Sequence, residues 1–526
     1  MNATIRPSSI EINDLTLRHP SKKADEEEDD GKRLTESTYE YPQQRYDGGT
    51  SRHEGGKVLR VYRRTIHVLK KYGKFIGPGI MVSIAYMDPG NYSTDVEAGA
   101  TLEFALLFVV LLSNIIAMFL QSLAIKLGSV TGNDLAVACK QNLPKWVTIV
   151  LYIFAEVAII ATDIAEVIGT AIALNILLKI PLMAGVAITI VDVLLVLLAY
   201  KPGKGMKTVR IFEYVVATLV MAIIICFAIE LARIPKTPVG HVFKGYLPTS
   251  RMLDKNGIYI SCGILGATVM PHSLYLGSAL VRPRVRDYDI THGHIPDEEE
   301  DPVINDKYRP SLSAIKYSMK YSIAECVISL CTMALFVNSA ILIVAGATMY
   351  NQPDFDEADL YSIHQVLSEL LSGVAGTIFM LALLFSGQSA GIICTIAGQI
   401  VSEGHLNWKV KPWLRRIITR TIAIVPCLIV TGAVGRTGLS ATLNASQVAL
   451  TILLPFLTAP LIYLTSCRKV MTVSTSELPN QDDQPQVSTT VDMSNNWYTT
   501  IAGFIIWLFI CILNIYLIAH LAVYGE

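Results

Sequence analysis

Residues 75–97 read FIGPGIMVSIAYMDPGNYSTDVE, an apolar run interrupted near its middle by Asp88-Pro89-Gly90-Asn91. Proline removes a helix donor and glycine loosens the backbone. A carboxylate in hydrocarbon is costly unless it faces a partner or water. A second run, residues 257–281, reads GIYISCGILGATVMPHSLYLGSALV and is broken at Met270-Pro271-His272, after Gly263 and Gly266. One proline in a membrane helix can be no more than a kink. Two breaks at matching places, five spans apart and each beside polar chemistry, point to a transporter built from inverted repeats. The unwound backbone frees carbonyls near the midplane, and those must bind something.

The rest of the chain fits that frame. Its 526 residues are 52% hydrophobic and only 17% charged, with a mean hydropathy of +0.45. Soluble domains carry roughly a quarter charged residues, so an ordinary soluble enzyme is excluded. The net charge of −1 gives no argument for nucleic acid. The nine cysteines fall almost entirely in apolar runs, which argues against a disulfide framework. Eleven runs are candidate spans: 75–97, 101–125, 146–178, 181–199, 208–232, 257–281, 320–348, 370–402, 413–433, 442–466 and 497–523. They are too long, and alternate too little, for barrel strands. With the N-terminus in the cytoplasm, 36 of the 43 Lys and Arg residues lie on the inner side, as the positive-inside rule requires. An odd number of spans then puts Glu526 outside.

The expected organisation is a cytoplasmic tail at 1–73, a ten-helix core at 74–466 and a cytoplasmic loop at 467–496. An eleventh helix with a short external C-terminus occupies 497–526. The core divides into repeats at 74–232 and 257–466. The tail, with its acidic run Asp25–Asp30, reads as disordered over about its first sixty residues. It either offers regulatory sites, such as Lys22 and Lys23 for ubiquitin, or merely solvates the chain.

At the breaks, Asp88 offers anionic oxygen, Asn91 an amide oxygen and Met270 a thioether. The carbonyls of Ala85 and Ala267 lie about one turn before the breaks. No ammonium or guanidinium is present there to hold an organic anion. Mixed oxygen and sulfur suits Mn(II) or Fe(II) better than Ca(II) or Mg(II). Span 3 holds Glu156, Asp163 and Glu166 on one helical face, which suggests a proton route. Arg415 and Arg416 open span 9, as partners for those acids or as an ordinary positive-inside flank. Gln447 in span 10 is either a further oxygen ligand or a polar helix–helix contact. His292-Gly293-His294 before Asp297–Asp301 reads as a metal-sensing tract or a solvated loop.

These motifs resemble those of the NRAMP divalent-metal transporters, in wording closest to the fungal manganese-transporter branch. The resemblance rests on Asp88-Pro89-Gly90-Asn91, Met270-Pro271-His272 and the stretch from Phe385-Ser386-Gly387-Gln388 to Gly398-Gln399 and Glu403-Gly404. Gly77-Pro78-Gly79, residues 161–166 and Leu443–Gln447 also fit, so that it covers about residues 70–523. It implies an all-α, leucine-transporter-like fold: a five-plus-five inverted repeat with broken helices 1 and 6, plus an eleventh helix. It implies no enzyme activity and no cofactor, but proton-coupled import of Mn(II) and Fe(II), with Co(II) and Cd(II), by alternating access. The metals and protons are transported substrates, and the remaining partner is the lipid bilayer. By motif position Asp88, Asn91, Ala267 and Met270 would hold the metal, with Ala85 and Gln447 joining in some states. His272, Glu156, Asp163, Glu166, Arg415 and Arg416 would carry or tune protons.

Three rivals are weaker. A sodium-coupled amino-acid carrier of the same fold would find its carboxylate substrate repelled by Asp88. A metal-sensing receptor would need a signalling domain, and the tail shows no globular pattern. A membrane enzyme would need a second histidine or a nucleophile arrangement near Met270-Pro271-His272. The membrane, plasma or endosomal and vacuolar, is left open by the sequence.

Overall fold

The computed structural model describes residues 77–189, 205–235, 237–295, 308–350, 359–406, 412–475 and 489–524. The expected tail with Lys22 and Lys23, the later part of span 4 and the Asp297–Asp301 run lie outside the described residues. Among the described residues, eight helices are long and apolar enough to cross a membrane. Ile417–Ala433 adds a shorter apolar one. The protein is an all-α, multi-pass membrane protein. All nine cysteines are free thiols.

Span 1 is two helices, 1a (Pro78–Ile84) and 1b (Pro89–Leu102), and span 6 likewise is 6a (Lys255–Thr268) and 6b (Pro271–Leu280). Each second half begins on its proline, whose fixed φ suits the first helical turn and whose missing N–H is no loss there. The packing follows the repeat. Span 1b lies on span 7 as span 6b lies on span 2, and span 3 lies on span 10 as span 8 lies on span 5. Spans 3 and 8, the third helix of each half, pack on each other.

Several boundaries differ from the hydropathy reading. Span 2 is Leu107–Thr131 rather than 101–125. Span 1b ends at Glu103, which adopts φ 57° with its N–H on the Gly99 carbonyl, and a turn follows. The other end runs on because Ser129 and Thr131 are buried inside the fold, where polarity no longer marks an exit. Span 7 runs from Leu312 rather than 320, through a π-helical turn at Leu330–Ala334, to Thr348. The loop expected at 467–496 contains an antiparallel pair of strands, Thr472–Thr475 and Thr489–Asp492.

We call the face at which span 1 begins the near face. There Glu325 of span 7 accepts the backbone N–H groups of Gly77 and Gly79 at 3.0 and 2.8 Å. It thereby satisfies donors that a helix start leaves without intrahelical partners. Gly77 has φ +149°, and a β-carbon on it would meet the Glu213 carboxylate at 2.2 Å. That carboxylate is paired with Arg284 at 3.0 Å. Three ionisable side chains from three elements thus surround the entry to span 1a.

On the far face, helix Leu360–Leu370 covers the bundle between spans 7 and 8. Asp359 caps it and binds Arg436, the first residue of span 10, at 2.8 Å. Burial alone would raise the Asp359 carboxyl, but hydrogen bonds from Arg436 and Ser362 outweigh it and hold it below the usual carboxylate range. An acid so depressed stabilises the fold fully above its unfolded value, about 3.9, and loses that contribution as pH falls through the lower folded value. Amide exchange in residues 360–370, corrected for intrinsic rate, should therefore stay slow from about pH 7 to about pH 5. Asp359→Asn should exchange fast throughout that range. Equal protection in parent and variant would remove this pair from the account of the lid.

Candidate metal-binding site

In an α-helix the carbonyl of one residue takes the N–H of the fourth residue on. Four residues after Ala85 and Ala267 stand Pro89 and Pro271, which have no N–H to give. Both carbonyls are thus released by the same device, one in each half. The other carbonyls of the span 1 break are taken by distant side chains. Asn338 of span 7 donates to the Tyr86 carbonyl at 3.0 Å, and Ser386 of span 8 donates to that of Met87. The unwound segment is therefore held open as a built feature.

Asp88 is the N-cap of span 1b, with its Oδ1 accepting the Asn91 backbone N–H at 3.0 Å. The Asn91 side-chain NH2 donates to Asp88 Oδ1 at 2.7 Å and to the Ala267 carbonyl at 3.1 Å, joining the two breaks. Thr268 donates to Asn91 Oδ1 at 3.3 Å. Asp88 Oδ2 is buried and has no hydrogen-bond partner, and the same holds for Gln447 Oε1. A β-carbon on Gly90 would lie 2.1 Å from Gln447 Nε2, so the glycine is what lets span 10 lay its amide on the break. Met270 and Ala85 are buried at the facing ends of spans 6b and 1a. Below them, on the near side, Tyr86, Ser273 and Gln121 bond one another at 2.9–3.0 Å. Beyond them, Tyr92, Phe227 and Phe379 pack as a cluster with ring centroids 5.6–5.8 Å apart.

The second polar constellation runs down span 3. His272 Nδ1 lies 3.5 Å from Thr162 Oγ1, beside Asp163 in sequence. Arg420 Nη1 reaches Asp163 at 3.4 Å and Glu166 at 3.1 Å. Arg415 reaches Glu156 at 2.5 Å. Between the two groups lies a cavity of about 10 Å³, near the size of one water, lined by Ile159, Cys394, Thr395, Gln399, Arg415 and Thr419. Of the expected basic partners, Arg415 pairs with Glu156, while the side chain of Arg416 lies outside the described residues.

Arg420 falls among the 36 inner-side Lys and Arg residues of the positive-inside count, yet it serves the buried acids. The signal was there. It lies eight residues into a helix that begins at Pro412, about 12 Å along the axis at 1.5 Å per residue, too deep for a flank. Thr268 and Asn338 carry no comparable signal, because small polar residues in membrane helices are common, and Ser386 stands in a resemblance-bearing stretch that gives it no role. His292-Gly293-His294 lies at the end of the helix Arg282–Thr291, away from both constellations in the fold. His292 stacks on Tyr288 with centroids 3.9 Å apart.

Broken helices in corresponding places of two halves, meeting around buried oxygens, define a transporter fold of the inverted-repeat class. The sequence model described as "Natural resistance-associated macrophage protein-like" matches residues 79–480. The chain is 54% identical over 525 residues to the manganese transporter SMF1 of Saccharomyces cerevisiae, covering 92% of this chain and 91% of that one. It is 51% identical over 472 residues to the iron transporter SMF3 of the same yeast, covering 87% and 98%. Among solved structures, the Eremococcus coleocola manganese transporter, in complex with an aromatic bis-isothiourea substituted compound, aligns with TM-score 0.70 and 31% identity. That alignment covers 86% of this chain and 87% of that chain. The chain belongs to the NRAMP family, in its fungal branch, and has its leucine-transporter-like fold. It is a transporter family member and not an enzyme.

The geometry ranks the two arginines. Arg420 and its carboxylates are 3% and 0% exposed, against 12% and 16% for Arg415 and Glu156. Removing one partner of a buried ion pair leaves uncompensated charge and costs roughly 3–5 kcal/mol. Arg420→Gln should therefore lower the thermal transition in detergent clearly more than Arg415→Gln. Equal shifts would show that Arg420 is not the buried keystone of this network.

Proposed function

We propose that the protein carries Mn(II) and Fe(II), and with them Co(II) and Cd(II), across the membrane together with protons by alternating access. The metal binds at the unwound midplane of spans 1 and 6. The observation that carries this reading is the buried Asp88 Oδ2 with no hydrogen-bond partner, beside two carbonyls released by proline. The yeast relatives named for manganese and iron support the metal class.

Asp88 supplies the charge, and the Ala85 and Ala267 carbonyls, Asn91 and Gln447 supply neutral oxygens. The Asn91 NH2 now bridges Asp88 and the Ala267 carbonyl, where a cation would sit. Turning that amide over presents its oxygen to the metal instead. Met270 adds sulfur, a poor donor for Ca(II) and Mg(II) but tolerable for Mn(II) and Fe(II). The Tyr86–Ser273–Gln121 knot and the Glu325 clamp close the near side, and the Tyr92–Phe227–Phe379 cluster closes the far side. Movement of span 1a away from Glu325 would open the site inward. Protons follow His272, Asp163, Glu166 and Glu156, balanced by Arg420, Arg415 and Arg416.

The near face is the cytoplasmic one in this reading, because Lys and Arg concentrate there. The tail at 1–73 and the segment 467–496 are then cytoplasmic, and Glu526 is external or lumenal. The repeats are 74–232 and 257–466, with the eleventh helix in 497–526. The membrane is the plasma membrane or an endosomal or vacuolar one, and Lys22 and Lys23 are offered to ubiquitin machinery.

Asp88→Asn should nearly abolish manganese uptake into liposomes while the protein remains folded, because the site loses its one full charge. Near-normal uptake would refute the site. Met270→Ala should lower manganese uptake moderately and cadmium uptake more, and should let calcium compete. A variant that excludes calcium as well as the parent does would reduce Met270 to packing.

A further inference from the structure

His405, at the near end of span 8, which runs over Gly373–Leu406 rather than 370–402, has no role in the reading above, yet its setting needs one. The residue is 3% exposed. Neither ring nitrogen has a hydrogen-bond partner. Buried polar groups are normally satisfied, so two such nitrogens on one ring call for an explanation. The ring sits between two tyrosines, with centroids 6.2 Å from Tyr152 and 5.8 Å from Tyr275. The Tyr275 hydroxyl is also buried without a partner.

The two tyrosines connect His405 to both arms of the polar network. Tyr275 lies on span 6b one turn beyond His272, and Tyr152 lies on span 3 one turn before Glu156. His405 therefore stands where the two arms converge toward the near face. The end of span 8 is fixed there, because a β-carbon on Gly404 would meet Ala136 at 2.5 Å and Asp134 Oδ1 at 3.0 Å. The titratable and charged groups around the ring are Tyr152 from span 3 and Tyr275 from span 6b. The helix Leu135–Asn142 adds Lys140, which acts on His405 electrostatically, and Cys139, which acts on Tyr275. Asp134 at the head of that helix is held by Arg282 at 2.9 Å, and Glu403 is the near neighbour on span 8 itself.

We propose that His405 is the last protein station on the proton route, receiving the proton from the His272 and Glu156 arms and releasing it to the near-side solution. The N–H of protonated His272 or the O–H of protonated Glu156 breaks, and the Tyr275 or Tyr152 hydroxyl takes that proton as it gives its own to one ring nitrogen of His405, where an N–H bond forms. The other ring nitrogen gives up its proton to water. A ring flip then restores the starting tautomer. This rests on the proton-coupled reading proposed above.

The test uses purified full-length protein in liposomes, with manganese flux and a pH dye read together for the parent, His405→Phe and His405→Gln. Both variants should move manganese down its gradient at close to the parental rate. Protons moved per metal should fall about a hundredfold or more, the scale of a lost proton-transfer group. The dependence of proton flux on near-side pH between about 5 and 8 should flatten. An unchanged proton-to-metal ratio overturns the proposal. So does loss of manganese and proton flux together in both variants, which would make His405 structural. A parent that moves no protons at all overturns the coupling itself, a result distinct from either.

Discussion

Two missing N–H groups organise this molecule. Pro89 and Pro271 each delete the donor that the carbonyl four residues earlier would have used, and they do so in the corresponding helix of each repeat. In a membrane such a carbonyl cannot turn to solvent, so the protein must meet it with a side chain or a ligand. Everything nearby serves that need. Asn338 and Ser386 take the next carbonyls of the break, Asn91 reaches across to Ala267, and Gly90 makes room for Gln447. The break costs helix hydrogen bonds and gains a ring of fixed oxygens that a soluble protein would have to build from loops.

Charge is handled separately from these oxygens. Asp88 stands at the breaks with only amide and backbone donors around it. The acids of span 3 are each matched to an arginine of span 9 on a parallel helix. Among the described residues no lysine or arginine pairs with Asp88, whereas Arg415 and Arg420 are spent on the span 3 acids.

Much of this was legible in the sequence because it rests on rare events. A proline or an acid inside an apolar run is uncommon, so Asp88, Met270 and the span 3 triad stood out, and the inverted repeat followed from the matched breaks. What was not legible depended on packing. Thr268, Asn338 and Ser386 are ordinary small polar residues until the fold brings them to an unwound backbone. Arg420 was hidden in a basic flank although its depth in span 9 betrayed it. The boundaries of spans 2 and 7 failed because buried polar residues such as Ser129 and Ser318 look like exits when only hydropathy is read. The strand pair at Thr472–Thr475 and Thr489–Asp492 is too short to leave a periodic signal.

The central claim is that the two proline breaks together form one metal site. Anomalous diffraction from crystals of the protein grown with manganese tests it most directly. The account predicts a single strong peak within coordination distance of Asp88, Met270 and the Ala267 carbonyl, with the Asn91 amide turned to present its oxygen. A peak elsewhere, with the breaks unchanged and Asn91 still bridging Asp88 to Ala267, would contradict it.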